Sequence, residues 1–268
     1  MHSSSTLAAV RAIYRYPVKG LSPEHLDTAA LRPGATLPGD RRYAVENGAS
    51  GFDPARARHL PKQRFLMLMR NERLARLDTR LDDATGELAI RDGSVLVRGD
   101  LRTAAGRAAV EDFLAAFGTG DWRGPLRVLT ADGHSFSDVA AKVVSIVNLA
   151  TVAALETMVG RPVDPLRFRA NLHVEGWPAW SEFDLLGKEI AIGPHARTRV
   201  IKRIVRCAAV NVEPGTGTRD LDIPATLMRR LGHADCGVYA EVTAGGTVAI
   251  GDAVSAGRLA AAAGPEGG

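Results

Sequence analysis

The stretch VYAEVTAGGTVAI, residues 238–250, decides the reading of the fold. It reads as two short strands, 238–243 and 247–250, joined by Ala244-Gly245-Gly246 in a hairpin. Working back from it, further strand candidates stand at 171–175, 188–192, 198–204 and 207–212. Short strands this closely spaced point to a small barrel or strongly bent sheet. One short helix, 224–231, interrupts them before Gly232.

Further upstream the pattern admits more helix. Residues 149–159 carry Val152, Leu155 and Val159 on one face, with Asn148 as the cap and Gly160 and Pro162 as the stop. Residues 106–117 place Val110, Phe113, Leu114 and Phe117 on one face, Gly118 ends that helix, and 118–124 reads as a connector. Strands 87–91 and 94–98 flank Asp92-Gly93, the pair that a two-residue type I′ turn prefers. The segment 7–16 is β-prone, and Pro17 with Lys19-Gly20 closes it, which places Lys19 at a rim. There is no internal repeat, and the tail from Ala260 onward is expected to fray.

Composition bounds the classes. The 268 residues, 46% hydrophobic and 24% charged with a net charge of +4, exclude a disulfide scaffold, a collagen-like chain and a disordered tail. They fit one large domain or two small ones sharing a core. Only five of the 34 basic residues are lysine, so the positive balance rests on arginine, and the joint weight of Ala, Gly and Arg assigns most of it to codon preference. No Lys/Arg block with interleaved aromatics is present, so nucleic acid is not an expected partner. The start of the chain lacks the charged and apolar run of a signal peptide, and no apolar stretch approaches the roughly 20 residues of a membrane span. The expectation is a cytoplasmic protein without a membrane partner, its two cysteines held as thiols.

Several chemistries lack their signature. Cys207 and Cys236 are far apart and no histidine pair has ligand spacing, so metal-finger spacing is absent. The glycine loops of dinucleotide and P-loop sites are missing, as is the Gly-x-Ser-x-Gly of a serine hydrolase. What remains is a set spread along the chain: Tyr16-Pro-Val-Lys19, Gly39-Asp-Arg-Arg42, Phe136-Ser-Asp138, Arg167-Phe-Arg-Ala-Asn171 and Val205-Arg-Cys207. Taken singly, each has a plain reading: a packed small thiol for Cys207, a core phenylalanine between two solvated guanidiniums for Arg167-Phe-Arg169. Cys236 reads as a buried small residue. His134 is either a proton donor lining a pocket or a surface-loop histidine after Asp132-Gly133.

Together these motifs resemble the MOSC superfamily, named for the C-terminal domain of molybdenum cofactor sulfurases. Residues of about 7–117 are similar to its N-terminal companion domain. Residues of about 125–256 resemble the MOSC barrel, through the later motifs with Glu213-Pro-Gly-Thr-Gly217, Gly237-Val-Tyr239 and Gly251-Asp252. The resemblance implies a β-rich α+β fold, a MOSC-type β-barrel with a few helices packed against a smaller N-terminal β-rich domain. The expected division is 1–120, 121–262 and a flexible tail 263–268.

The two-part layout is similar to the mitochondrial amidoxime-reducing components and their bacterial relatives, which bind a molybdopterin cofactor and reduce N-hydroxylated compounds. By that resemblance Cys207 is the molybdenum ligand, and Lys19, Arg41, Arg169, Asn171 and Arg206 hold the pterin and its phosphate. Asp138 is the acidic residue near the metal, making Cys207 and Asp138 the expected catalytic pair. The chemistry is consistent: a thiolate suits a high-valent molybdenum centre, a neighbouring Arg206 favours that thiolate, and guanidinium forks suit a phosphate. The implied function is reduction of hydroxylamines and amidoximes by oxygen-atom removal. Electrons are expected from a separate iron–sulfur, haem or flavin protein, because no cysteine-rich iron–sulfur domain is present in this sequence. The alternatives are a sulfur carrier using a Cys207 persulfide and a non-catalytic molybdopterin-binding module. One departure is Gly20, where many relatives have serine. Substrate choice is expected to depend on the loops 53–62 and 177–184.

Overall fold

A computed structural model describes residues 8–118 and 120–256. Leu7 of the first strand candidate and the tail 263–268 lie outside the described residues. In chain order the first half forms β1 (Ala9–Arg15), β2 (Glu24–Leu26), β3 (Thr28–Leu31), β4 (Ala44–Asn47), β5 (Asp78–Leu81), β6 (Glu87–Asp92), β7 (Val95–Asp100) and helix α1 (Ala104–Phe117). The second half forms β8 (Leu126–Leu129), β9 (Val144–Asn148), α2 (Leu149–Val159), β10 (Leu172–Glu175), β11 (Glu189–Ile192) and β12 (Ala196–Val205). It ends with α3 (Ile223–Leu231), β13 (Asp235–Ala244), β14 (Gly246–Ala249) and β15 (Val254–Ala256). This is the β-rich α+β fold expected.

Eight strands make one sheet in the order β15-β11-β12-β13-β9-β10-β1-β2. Its β9–β10 pair is parallel, with α2 in the connection, and its other pairs are antiparallel. Elsewhere β3 pairs with β14, β4 with β8, and β5, β6 and β7 form a meander. Pairing thus crosses residue 120 in both directions: β1 and β2 lie in the sheet of the second half, and β8 returns to β4. One apolar core lies on the large sheet around Ile13, Ile146, Leu172 and Val238, and another between the meander and α1 around Ile90, Leu101, Val110 and Leu114.

Local chemistry sets the helices. The Thr103 hydroxyl accepts from Gly106 N at 3.0 Å at the start of α1, and Gly118 closes it. Asn148 accepts from Ala150 N at 3.1 Å to open α2, and Gly160, at φ 71°, ends it in the left-handed conformation. Helix α3 starts one residue before the expected Pro224 and stops at Gly232.

Three local expectations are corrected. The segment 238–250 is not a hairpin: β14 pairs with β3, with Thr247 opposite Ala30, and not with β13. The chain leaves the large sheet at a place where only glycine fits, since a Cβ on Gly246 would lie 2.7 Å from Ala196 N and one on Gly245 3.1 Å from Leu31 O. Residues 207–212 are not a strand, because Ala208–Asn211 close a 3-10 turn in which Val210 N donates to Cys207 O, while Asn211 Oδ1 accepts from Ile223 N and starts α3. The β6–β7 hairpin exists one residue further on: Asp92 pairs with Val95, and Gly93, at φ 58°, takes the first position of a type II′ turn.

Candidate functional site

Segments from both halves of the chain, around residues 19, 40 and 62–69 and around 137–145, 167–171, 202–210 and 239, meet around a cavity of about 250 Å³. Its wall includes Lys19, Arg41, Asp138, Arg169, Asn171, Arg206 and Cys207, so the structure brings together every site residue the motifs nominated.

Backbone bonds hold these segments in place. Arg41 N donates to Tyr16 O, Phe136 N donates to Arg41 O, and Lys19 N donates to Tyr43 O. The carboxylate of buried Asp40 accepts from Tyr16 N at 2.9 Å and from the Arg41 guanidinium. Arg41 also donates to Arg169 O at 3.0 Å. Both Arg41 and Arg169 have left-handed backbones, φ 48° and 50°, a cost on the order of 1–3 kcal/mol each, and such strain gathers at functional sites. Their guanidiniums lie over the ring of buried Tyr16, at 4.8 and 4.1 Å.

Lys19 is not at a rim. It is 5% exposed, and its ammonium donates to Phe136 O at 2.8 Å and to Asp138. Burial lowers its pKa, with Asp138 opposing. Asp138 stands between two ammoniums, with Lys62 Nζ 3.6 Å from its other oxygen. Burial works against its ionisation, but Lys19, Lys62 and Arg41 together hold its carboxyl well below the usual carboxylate range.

The cation that reaches Cys207 is Lys62, whose Nζ lies 3.4 Å from the sulfur. Arg206, its sequence neighbour, turns its guanidinium away to Cys236 O at 2.7 Å and Phe168 O at 2.8 Å. Asn171 lines the cavity with its amide mostly engaged: Oδ1 accepts from Ser145 N and Oγ, and Nδ2 donates to Tyr14 O. Neither arginine of Arg167-Phe-Arg169 is solvated. Arg167 is 4% exposed and forks onto Asp220 at 2.8 and 2.9 Å.

Arg169 is the opposite case. Its guanidinium is buried, burial lowers its pKa to about 10, and its Nη2 has no hydrogen-bond partner. Arg206 Nη2 is likewise buried and unpartnered. Buried donors without acceptors cost roughly 1–3 kcal/mol each, more when charged. Two such donors on side chains that line the wall with a thiol suit an anionic group, and a set of guanidinium donors beside a thiol fits a phosphate-bearing dithiolene cofactor. Among the described residues no three His, Cys, Asp or Glu side chains converge on a metal position, and Cys207, a free thiol, is the cysteine on the cavity wall.

Other expectations fall outside the cavity. His134 packs against Phe136 and Phe52, with ring centroids 4.7 and 5.3 Å apart, and burial lowers its pKa. Cys236 is fully buried and free, its thiol pushed up to about 12 by burial. The 177–184 loop packs on the large sheet's core through Trp177, Trp180 and Phe183, while the 53–62 loop does reach the cavity, through Lys62.

The sequence singled out Lys62 only as the end of the 53–62 loop and Tyr239 only within a family motif, and Lys202 not at all, yet all three line the wall. One signal was available. Of only five lysines in an arginine-rich chain, Lys19, Lys62 and Lys202 all stand here.

The chain matches the family model described as the MOSC domain over residues 131–255 and that described as the MOSC N-terminal beta barrel domain over residues 7–116. Among solved structures it is similar to the YUAD protein from Bacillus subtilis, with 15% identity, 93% of this chain and 94% of that one covered, and a TM-score of 0.44. It is also similar to YiiM from Geobacillus stearothermophilus, with 18% identity, 43% and 54% covered, and a TM-score of 0.35. No curated protein matches the sequence.

Proposed function

Because this chain belongs to the MOSC superfamily and carries its N-terminal companion domain, we propose that it is a molybdenum-cofactor-binding oxidoreductase that reduces N-hydroxylated compounds. The observation that carries this reading is the pair of buried, unpartnered guanidinium donors, Arg169 Nη2 and Arg206 Nη2, on the wall that bears Cys207. In this reading Cys207 ligates the metal, the two donors take the cofactor's anionic groups, and Arg41 and Asn171 hold the wall that presents them. When bound, the cofactor supplies a two-electron redox centre for oxygen-atom transfer.

The balance is R–NHOH + 2 e⁻ + 2 H⁺ → R–NH₂ + H₂O. The electrons come from a separate donor protein of iron–sulfur, haem or flavin type. Asp138 is held ionised, so its part is to fix Lys19 and Lys62 rather than to give a proton. Lys62, held between Asp138 and the Cys207 sulfur, orients that sulfur. Tyr239 faces the same charges, and burial raises its pKa, so its hydroxyl keeps a proton on the cavity wall.

The test is metal and pterin analysis of the protein from a host that makes the cofactor, beside Cys207→Ala, with reduction of benzamidoxime assayed on both. Near-stoichiometric molybdenum and turnover in the wild type, both lost in C207A, are expected. Full activity in C207A overturns the reading, and a persulfide on Cys207 in a metal-free protein transfers it to sulfur carriage.

A further inference from the structure

Strand β12 enters the cavity wall with an irregular register. Its pairing with β13 shifts between Val200 and Lys202 and again between Arg203 and Val205, and bulges of this kind re-aim side chains. Between the shifts Lys202 stands opposite Tyr239, and Tyr239 stands opposite Ser145 on β9. Ser145 is in turn hydrogen-bonded to Asn171. Residues directly opposite each other on a ladder share a face, so Lys202, Tyr239, Ser145 and Asn171 form one transverse row, and all four line the cavity. Arg203, opposite Val238, takes the other face, with its guanidinium 4.4 Å from the Phe183 ring centroid.

Lys202 is exposed and makes no ion pair or side-chain hydrogen bond among the described residues. The carboxylates of the cavity are already engaged, Asp40 by Arg41 and Asp138 by Lys19 and Lys62. The wall therefore offers no free anion to a cationic substrate and one free ammonium to an anionic one. With Arg169 and Arg206 assigned to the cofactor, and Arg203, which also borders the cavity, resting its guanidinium on the Phe183 ring, Lys202 is the unengaged ammonium among the described residues of the wall.

We propose that Lys202 is a specificity-determining residue, and that it selects N-hydroxylated substrates bearing a carboxylate or a comparable anion. The proposal rests on the reductase reading of the same site. It adds a charge preference that an apolar pocket wall cannot supply.

The test uses the cofactor-loaded protein, with calorimetric binding of para-aminobenzoate and its neutral isostere para-aminobenzamide, the amine products of two matched hydroxylamines. Reduction of those hydroxylamines is followed in parallel with a chemical reductant. A charge-assisted contact predicts about tenfold tighter binding of the carboxylate at low ionic strength, shrinking as salt is added. In Lys202→Met the preference falls to within about twofold, read in KM and not kcat, while Lys202→Arg keeps most of it. Equal binding of the two compounds by the wild type, or a preference that persists in K202M, overturns the proposal. Selective binding through Lys202 with neither hydroxylamine reduced leaves the anion subsite standing and overturns the reductase reading; equal binding with both reduced does the reverse.

Discussion

At the scale of single residues, Gly20 explains its own departure from the serine that many relatives carry. Its φ is +84°, and a Cβ built there would lie 3.1 Å from Leu66 O, so a side chain is strained by backbone and neighbour alike. Gly20→Ser is therefore expected to destabilise by about 1–2 kcal/mol. Urea unfolding checks this, and an unchanged midpoint contradicts it. The motif residues were readable because each sits in a short, distinctive run such as Arg206-Cys207. Lys62 and Lys202 were not: one opens a three-residue 3-10 turn, the other lies on a strand whose register shifts, and neither period nor neighbours mark them. Likewise the thiol's cationic partner was assigned by adjacency to Arg206, whereas the fold supplies Lys62 from 145 residues away.

Among the elements, α2 shows how a cap can serve two ends. Asn148, fully buried, opens the helix with its carbonyl and donates with its amide to Pro178 O at 2.8 Å and to the buried Glu182 carboxyl at 2.9 Å. Burial raises the Glu182 pKa, against the bonds from Asn148 and Thr151. Asn148→Ala removes the cap and strips a partner from a buried carboxyl, for an expected loss of about 2–4 kcal/mol. Chemical denaturation measures it; a loss under about 1 kcal/mol would show that the two roles are not coupled. Helices α1 and α2 were readable from their periodicity and glycine stops, with the Asn148 cap for α2, and α3 was placed just before Gly232, since those signals are local. Strand β9 was not, because all five of its residues are buried, polar Ser145 and Asn148 included, so it shows neither apolar–polar alternation nor an unbroken apolar run. The strand read at 207–212 failed for a related reason: Val210 and Val212 are both buried, as on a strand, yet a 3-10 turn puts them there.

For the molecule as a whole, stability is expected to fall on acidification in a defined window. His173, on β10, is 4% exposed with Nε2 unpartnered, and burial lowers its pKa from 6.5 to about 4. The folded protein thus keeps the imidazole neutral where the unfolded chain would protonate it. The stabilisation is complete above pH 6.5, is lost as pH falls from 6.5 toward about 4, and amounts to about 3 kcal/mol. His173→Gln should flatten that slope in urea unfolding followed across this range, and an unchanged slope would place the acid sensitivity elsewhere. The overall class was readable from the spacing of short strands, but which strand pairs with which was not. The hairpin at 238–250 looked complete by itself, yet β14 finds its partner in β3, and no local signal encodes a choice made by distant backbone. One pairing of this kind bears on how the protein is made. Asn171 donates its side-chain amide to the carbonyl of Tyr14, 157 residues earlier, on a strand placed between β10 and β2. At about 5–20 residues per second of synthesis, β1 leaves the ribosome on the order of ten seconds before its partner exists. Through that interval β1 lacks the neighbour it will pair with along this edge, so a strand made early is among the last to be secured.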